Sequence, residues 1–426
     1  MTNIDVRAAP STQERQHASG FWTVAFAFLI VMAFATLPSP LYGLYRARDH
    51  LSAIVITVIY AIFAGGTIAT LMAVPRIAAR AGRRGIMLGA VATMMVAAGL
   101  LAAWKALPGL LIGRLLSGSA AGLAASSAIT YLIELLLRSN PSASMIRARN
   151  IGTSVNVGAL GVGPLIAGGL AQWASWPLTV PYLVWVALGA LALFGLWFVP
   201  ETGAPTHLAT VSQTTCSPPA RLPIPAAAGT LAAFAASGLF AGLAGLILAT
   251  TLHHPSRALS GATLFLIFSS GVASQLAMTR LRPSRVLALG SIFMLAGLVL
   301  LVASVRLSTP NLALFLISGA LVGAGVGAVF KGTTGIVLET AAPEDRLAMT
   351  SALLIAVYVG LSVPVIGIGI ALNQGASTPN TVLGFAILVA LGVSVSGWAL
   401  LRRRQPARAP GKERPRRQRR NRRPPD

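Results

Sequence analysis

Apolar stretches of about 20 residues recur along this chain from residue 22 to residue 401. A helix of that length crosses a hydrocarbon core about 30 Å thick. Twelve such stretches can be counted, at residues 22–45, 51–74, 85–104, 108–132, 150–172, 180–199, 225–251, 260–279, 285–305, 310–336, 348–372 and 380–401. They predict an all-α integral membrane protein with twelve transmembrane helices.

The composition excludes an ordinary soluble protein of this size. Of the 426 residues, 55% are hydrophobic and only 10% are charged, whereas soluble domains carry about 25% charged residues. The formal net charge of +23 would suit a nucleic-acid binder, but the basic residues lie mainly in the tail from residue 402 and in short loops. That distribution is typical of membrane topology, so we expect no nucleic-acid partner.

The basic residues also predict the orientation in the membrane. If the N-terminus is cytoplasmic, the loops on the opposite side hold only Arg46, Arg48, Lys105, Arg257 and Arg306. The positive-inside rule then places both termini in the cytoplasm. We expect a multi-pass protein of the bacterial inner membrane.

A polar linker separates the apolar stretches into two sets of six. Its Thr-, Ser- and Pro-rich composition is typical of a loop. We predict a cytoplasmic segment at 1–20, a six-helix bundle at 21–200, a cytoplasmic linker at 201–224, a second six-helix bundle at 225–401 and a basic cytoplasmic tail at 402–426. The tail is expected to lie near anionic lipid headgroups.

Matching motifs indicate that the two bundles are related. The pair Ser117-Gly118 in the fourth stretch recurs as Ser318-Gly319 in the tenth, and Pro164 in the fifth recurs as Pro364 in the eleventh, at nearly the same offset. Two pseudo-symmetric bundles are therefore predicted. In transporters built this way the substrate site lies at the interface between the repeats.

Two basic residues fall inside predicted spans. An arginine at the centre of a span costs at least about 2.5–3.5 kcal/mol on insertion scales, so Arg114 should face a wet cavity or a partner; the alternative is that it snorkels to the outer interface. Lys331 could point into a central cavity or snorkel to the cytoplasmic surface. A lysine in the cavity would favour anionic or zwitterionic substrates.

The acids near the membrane all lie at span ends, and the first span contains none. Glu134 is the best candidate for a proton carrier, because desolvation would bring its titration near neutral pH. Pairing with Arg138, one helical turn further on, is the interpretation we favour. Tyr42, Asn150 and Asn156 are candidates for lining a cavity, although an aromatic belt or hydrogen bonds between helices would also explain them.

Three motifs resemble signatures of the major facilitator superfamily of secondary transporters. They comprise Arg80, Gly82, Arg83 and Arg84 after the second span, Arg114 and Gly118 in the fourth, and Gly163, Pro164 and Gly168 in the fifth. They resemble the family patterns G-x-L-a-D-R-x-G-R-R, R-x-x-x-G and G-x-x-x-G-P-x-x-G-G, although Ala79 replaces the Asp of the first. The third pattern belongs to the drug/proton antiporter branch, whose members often carry an acid in span one.

The resemblance implies secondary active transport by alternating access. It assigns proton coupling to Arg114 and conformational roles to the other motif residues. We expect proton-coupled efflux of a drug-like or partly hydrophobic metabolite across the inner membrane; the alternative is a proton-coupled uptake symporter for a sugar or an organic anion. Protons and a small-molecule substrate are the expected partners of a monomer.

An enzyme is not expected, because no histidine lies inside a predicted span and the few acids lie at span ends. A phosphate-binding loop of an ATP-driven pump is also missing from the sequence. With Cys216 as the single cysteine, we predict neither a metal site nor a cofactor. A channel, or a sensor that no longer transports, remains a further alternative.

Overall fold

The computed structural model describes residues 12–140, 144–202, 222–342 and 345–402, without the side chains of residues 12, 14, 75–80, 145–147, 149 and 347. In the described part all regular elements are helical, and 12 helical segments are long and apolar enough to cross a membrane. The predicted fold class is thereby confirmed. The basic tail, most of the linker and the side chain of Arg80 lie outside the described residues.

The helices before the linker form the first half of the molecule. They are α1 (Thr12–Thr36), α2 (Tyr42–Asp49), α3 (Ala53–Ala103), α4 (Leu107–Ser139), α5 (Met145–Trp173) and α6 (Val180–Trp197). The second and third predicted spans are both contained in α3. They are joined at Gly82, whose φ of 66° and ψ of 178° reverse the chain in a conformation that glycine adopts without steric cost.

The helices after the linker form the second half. They are α7 (Ile224–Thr250), α8 (Arg257–Ala277), α9 (Pro283–Arg306), α10 (Leu312–Thr340), α11 (Arg346–Asn373) and α12 (Thr378–Arg402). Most of these bounds lie within a few residues of the predicted spans.

Successive spans run in opposite directions, so their ends lie at two opposite faces of the molecule. The linker face is the end where α3 bends at Gly82 and where α4 and α6 finish; there Arg84 donates a hydrogen bond to the carbonyl of Trp197. The distal face is the opposite end, where Arg48 donates to the carbonyl of Lys105 at 2.7 Å and Arg257 donates to the carbonyl of Ala171 at 3.2 Å.

The first span is broken, which the apolar pattern of residues 22–45 did not predict. Helix α1 ends at Thr36, and a 3-10 turn at Ser39–Leu41 leads into α2. The cause is local, because Pro38 and Pro40 have no N–H to donate to the carbonyls one turn earlier. Backbone carbonyls near the end of α1 are therefore left for other partners.

The two halves pack together through α5 against α8 and through α3 against α11. At Gly261 of α8, a Cβ atom would overlap the carbonyl oxygen of Pro164 in α5. Further towards the middle of the molecule, the rings of Phe63 and Tyr358 are 6.2 Å apart. These contacts join the halves from the distal face to about mid-depth.

Candidate functional site

Arg114 lies inside the first half, where it joins three spans. Its guanidinium donates to the carbonyls of Ala35 at 2.6 Å and of Ile59 and Tyr60 at 3.4 Å. The side chain is 1% exposed, so the snorkelling alternative is wrong. A cation at the C-terminal end of α1 is also favoured by the helix dipole, and the broken span provides that end.

The surroundings of Arg114 are aromatic. The guanidinium carbon lies 4.8 Å from the ring centroid of Phe63 and 6.0 Å from that of Tyr60. The ring of Tyr182 packs against Phe34 with 6.5 Å between the centroids, near the end of α1 that Arg114 binds. No carboxylate is among the partners of Arg114 in the described part of the chain, so its positive charge is balanced by carbonyl, hydroxyl and ring dipoles alone.

Tyr42 is buried at the break in the first span. Only 4% of it is exposed, which excludes the predicted alternative of an interfacial aromatic belt. The neighbouring hydroxyls of Tyr45 and Tyr182 bond each other at 3.2 Å, but the hydroxyl of Tyr42 has no hydrogen-bond partner, and neither does that of Ser39. The break therefore holds two buried hydroxyl groups that are free to form hydrogen bonds.

Glu134 lies on the linker face and is bound to a different arginine from the predicted one. Arg83 forms a salt bridge with its carboxylate at 3.0 Å, and the hydroxyl of Thr202 donates to it at 2.6 Å. Arg138 donates instead to the carbonyls of Glu201 and Thr202. The predicted pair of Glu134 and Arg138 is wrong because the turn at Gly82 places Arg83, instead of Arg138, against the carboxylate of Glu134.

Glu201 is a residue whose role the sequence did not reveal. Its carboxylate accepts hydrogen bonds from the backbone N–H groups of Arg83 at 3.0 Å and Arg84 at 2.9 Å. Those groups begin the second part of α3, so Glu201 caps this helix start with a negative charge. Gly82 also makes room for it, since a Cβ there would lie 2.6 Å from Glu201 Oε2. The available signal was Pro200-Glu201-Thr202 on the same predicted side as the basic loop.

Lys331 lies far from Arg114 in the fold. Its ammonium donates to the carbonyl of Gln275 in the last turn of α8 and to the hydroxyl of Thr279 just after this helix, the latter at 3.3 Å. These bonds do not exclude a position at the edge of a cavity, so the cavity role of Lys331 stays a prediction. The structure shows a lysine at a helix C-terminus, where a cation is favoured.

The remaining predicted residues lie in α4 and α5. Asn150 and Asn156 are half-buried, and the buried side-chain oxygen of Asn156 has no partner.

The predicted glycines serve close packing between helices. At Gly118 a Cβ would overlap the carbonyl of Phe63, at Gly163 that of Ala33, and at Gly168 it would lie 2.5 Å from the carbonyl oxygen of Arg257. Among the described residues no group of three His, Cys, Asp or Glu could hold a metal ion.

The sequence also matches a known family. Residues 24–226 match the model described as Major Facilitator Superfamily. Over these 203 of its 426 residues, the chain is similar to that superfamily. This similarity and the twelve apolar helices of the described residues are those of a multi-pass membrane transporter. None of the curated proteins matches the sequence.

Solved structures of a nucleoside transporter have a fold similar to that of this chain. The crystal structure of NupG is 11% identical with a TM-score of 0.66, and the alignment covers 91% of this chain and 98% of that one. A mutant of NupG is 12% identical with a TM-score of 0.68, covering 90% and 99%. At this identity the likeness shows the fold alone.

Proposed function

We propose that this transporter exports a small, partly hydrophobic molecule by alternating access, in exchange for protons. The observation that carries the proposal is the polar site at the break in the first span. The turn Ser39–Leu41 contacts α5, α7 and α8, so the site lies where the two halves meet. A substrate bound there would interact with both halves, as alternating access requires.

Opening towards the distal face would separate the halves where they now touch. The contact between Gly261 and Pro164 and the hydrogen bonds that Arg257 makes with Ala171 and Gln172 would break in that step. On the linker face, the bonds of Glu134 and Glu201 lie within the first half. We propose that they hold α3, α4 and the end of α6 together as one rigid unit during the movement.

Proton coupling is assigned to Glu134. Protonation of this half-exposed carboxylate would remove the charge that Arg83 pairs with and so loosen the contact between α3 and α4. Arg114, which the family resemblance links to coupling, would respond indirectly, because it is bound to the same two helices. The outward direction rests on the antiporter-like motif around Pro164.

Uptake of a small metabolite by symport is the second candidate. It is favoured by the fold likeness to a nucleoside transporter.

We further propose that the linker face is cytoplasmic and that the membrane is a bacterial inner membrane. The basic tail binds anionic lipid, and the protein works as a monomer.

The experiment uses the full-length protein in proteoliposomes that enclose a pH-sensitive dye. Candidate compounds of different charge are added, and internal pH is followed. Proton movement that requires both compound and protein supports coupled transport, and its sign separates exchange from symport. If no compound in a broad panel moves protons, and none exchanges across the membrane against the same compound on the other side, the proposal is rejected. An empty-liposome control removes passive leak.

A further inference from the structure

The acids in the described spans lie near helix ends, at Asp49, Glu134 and Glu339, and Asp49 is already paired with Arg48. Between residues 50 and 338 the only acids are Glu134 and Glu201, and both belong to the linker-face network. A cation taken into a low-dielectric site needs a counter-charge, because otherwise its desolvation is not repaid. The charge pattern therefore disfavours lipophilic cations as substrates.

The site at the break in the first span favours an anion instead of a cation. Arg114 is buried and bound to neutral groups, so its charge is available to attract an anion. On the distal face, an open depression of about 490 Å³ is lined by Arg46, His50 and Ser52, at and just beyond the end of α2. Basic residues on this face raise the local concentration of anions.

Two hydroxyls at the break lack partners. Ser39 is 6% exposed and Tyr42 is 4% exposed, and neither hydroxyl makes a hydrogen bond. They are three residues apart in a helical turn, which places them on one side of it. A buried polar group left unsatisfied costs about 1–3 kcal/mol. A ligand that accepts two hydrogen bonds would remove that cost.

We infer that the break in the first span binds the anionic group of the transported molecule. The hydroxyls of Ser39 and Tyr42 donate hydrogen bonds to it, and Arg114 supplies the positive potential. The substrate class is a small organic anion, such as a carboxylate on a partly hydrophobic body. This inference rests on the proposed transport site and adds the charge of its ligand.

The test compares three probes with one aromatic body and different charges: naphthoate, naphthamide and a trimethylammonium naphthalene. Their affinities for the purified full-length protein are measured by isothermal titration calorimetry. We expect naphthoate to bind at least about tenfold more tightly than naphthamide and the ammonium compound not to bind. Equal binding of naphthamide or the ammonium compound, or failure of naphthoate to bind, would overturn the inference.

Variants then locate the subsite. Ser39→Ala with Tyr42→Phe removes only the two hydroxyls and should weaken naphthoate binding about tenfold, with the affinity for naphthamide changed much less. Tyr358→Phe removes another buried tyrosine hydroxyl, in α11, and should leave both affinities unchanged. An unchanged naphthoate affinity in the double variant overturns the assignment. Flux of a neutral or cationic compound would reject the anion subsite but keep transport, whereas naphthoate binding without any flux would reject transport alone.

Discussion

Replacing Gly261 by alanine should shift the protein towards a state that is open at the distal face. The added methyl would overlap the carbonyl oxygen of Pro164, which belongs to the other half. Overpacking of this kind costs about 1–3 kcal/mol, and the cost applies only while the halves are closed together. The helix preference for alanine over glycine, about 1 kcal/mol, is the same in both states and cancels. The open-to-closed ratio should therefore rise about 5- to 150-fold.

Gly323 provides a matched control for this substitution. A methyl there would overlap the carbonyl oxygen of Ile267, but α8 and α10 lie in the same half. The overlap in Gly323→Ala is then present in every conformation. We expect its melting temperature to fall, whereas Gly261→Ala should melt near the wild-type temperature.

The conformational shift can be read from the reactivity of one cysteine. Thr57 is fully buried in α3 and packs against Gly369 of α11 near the distal face. In a Cys216→Ser background, which removes the single native cysteine, Thr57→Cys should react slowly with a water-soluble maleimide. Adding Gly261→Ala should accelerate the reaction. The reasoning is refuted if the rate does not change, or if Gly323→Ala accelerates it equally.

Three other substitutions test the remaining contacts. Arg257→Ala removes a charged hydrogen bond across the distal closure, worth about 1.5–3 kcal/mol, and should raise the labelling of Thr57→Cys at least about tenfold; an unchanged rate would show that the bond does not hold the closure. Glu134→Gln keeps a hydrogen-bond acceptor for Arg83 but not the charge, so the pH dependence of proteoliposome transport should shift or disappear; a wild-type pH profile would exclude Glu134 as the coupling group. Arg114→Lys keeps the charge but not the planar fork that reaches three helices, and transport should fall at least about tenfold at a pH where wild type is active; unchanged flux would remove Arg114 from the mechanism.

The spans were predictable because the membrane imposes a simple rule on length and hydropathy. The break in the first span was not, because proline is tolerated in transmembrane helices when neighbouring helices satisfy the freed carbonyls. Here the neighbour is Arg114, which is 79 residues from Ala35 in the sequence. Its buried position could be argued from the cost of a lone arginine in lipid, but its partners could not.

The partners of Glu134 and Glu201 on the linker face could not be predicted from the sequence either. Spacing of one helical turn predicted a pair between Glu134 and Arg138. The observed partner, Arg83, is 51 residues away, and Glu201 is 118 residues from Arg83, whose N–H it binds. Rules based on local spacing describe one helix, whereas these contacts depend on how the Gly82 turn orients the next helix.

An anionic substrate would also explain why the first span contains hydroxyls and no acid. Moving a monoanion out of a cell with a negative interior releases about 2.3 kcal/mol per 100 mV, so the membrane potential drives export without a carboxylate inside a span. Protons entering in exchange move charge in the same direction and add to this drive. An inside-negative potential set with valinomycin and potassium should therefore accelerate naphthoate efflux from proteoliposomes even without a pH gradient. Efflux that follows the pH gradient and ignores the potential would show that the cycle moves no net charge, which would contradict export of an anion in exchange for protons.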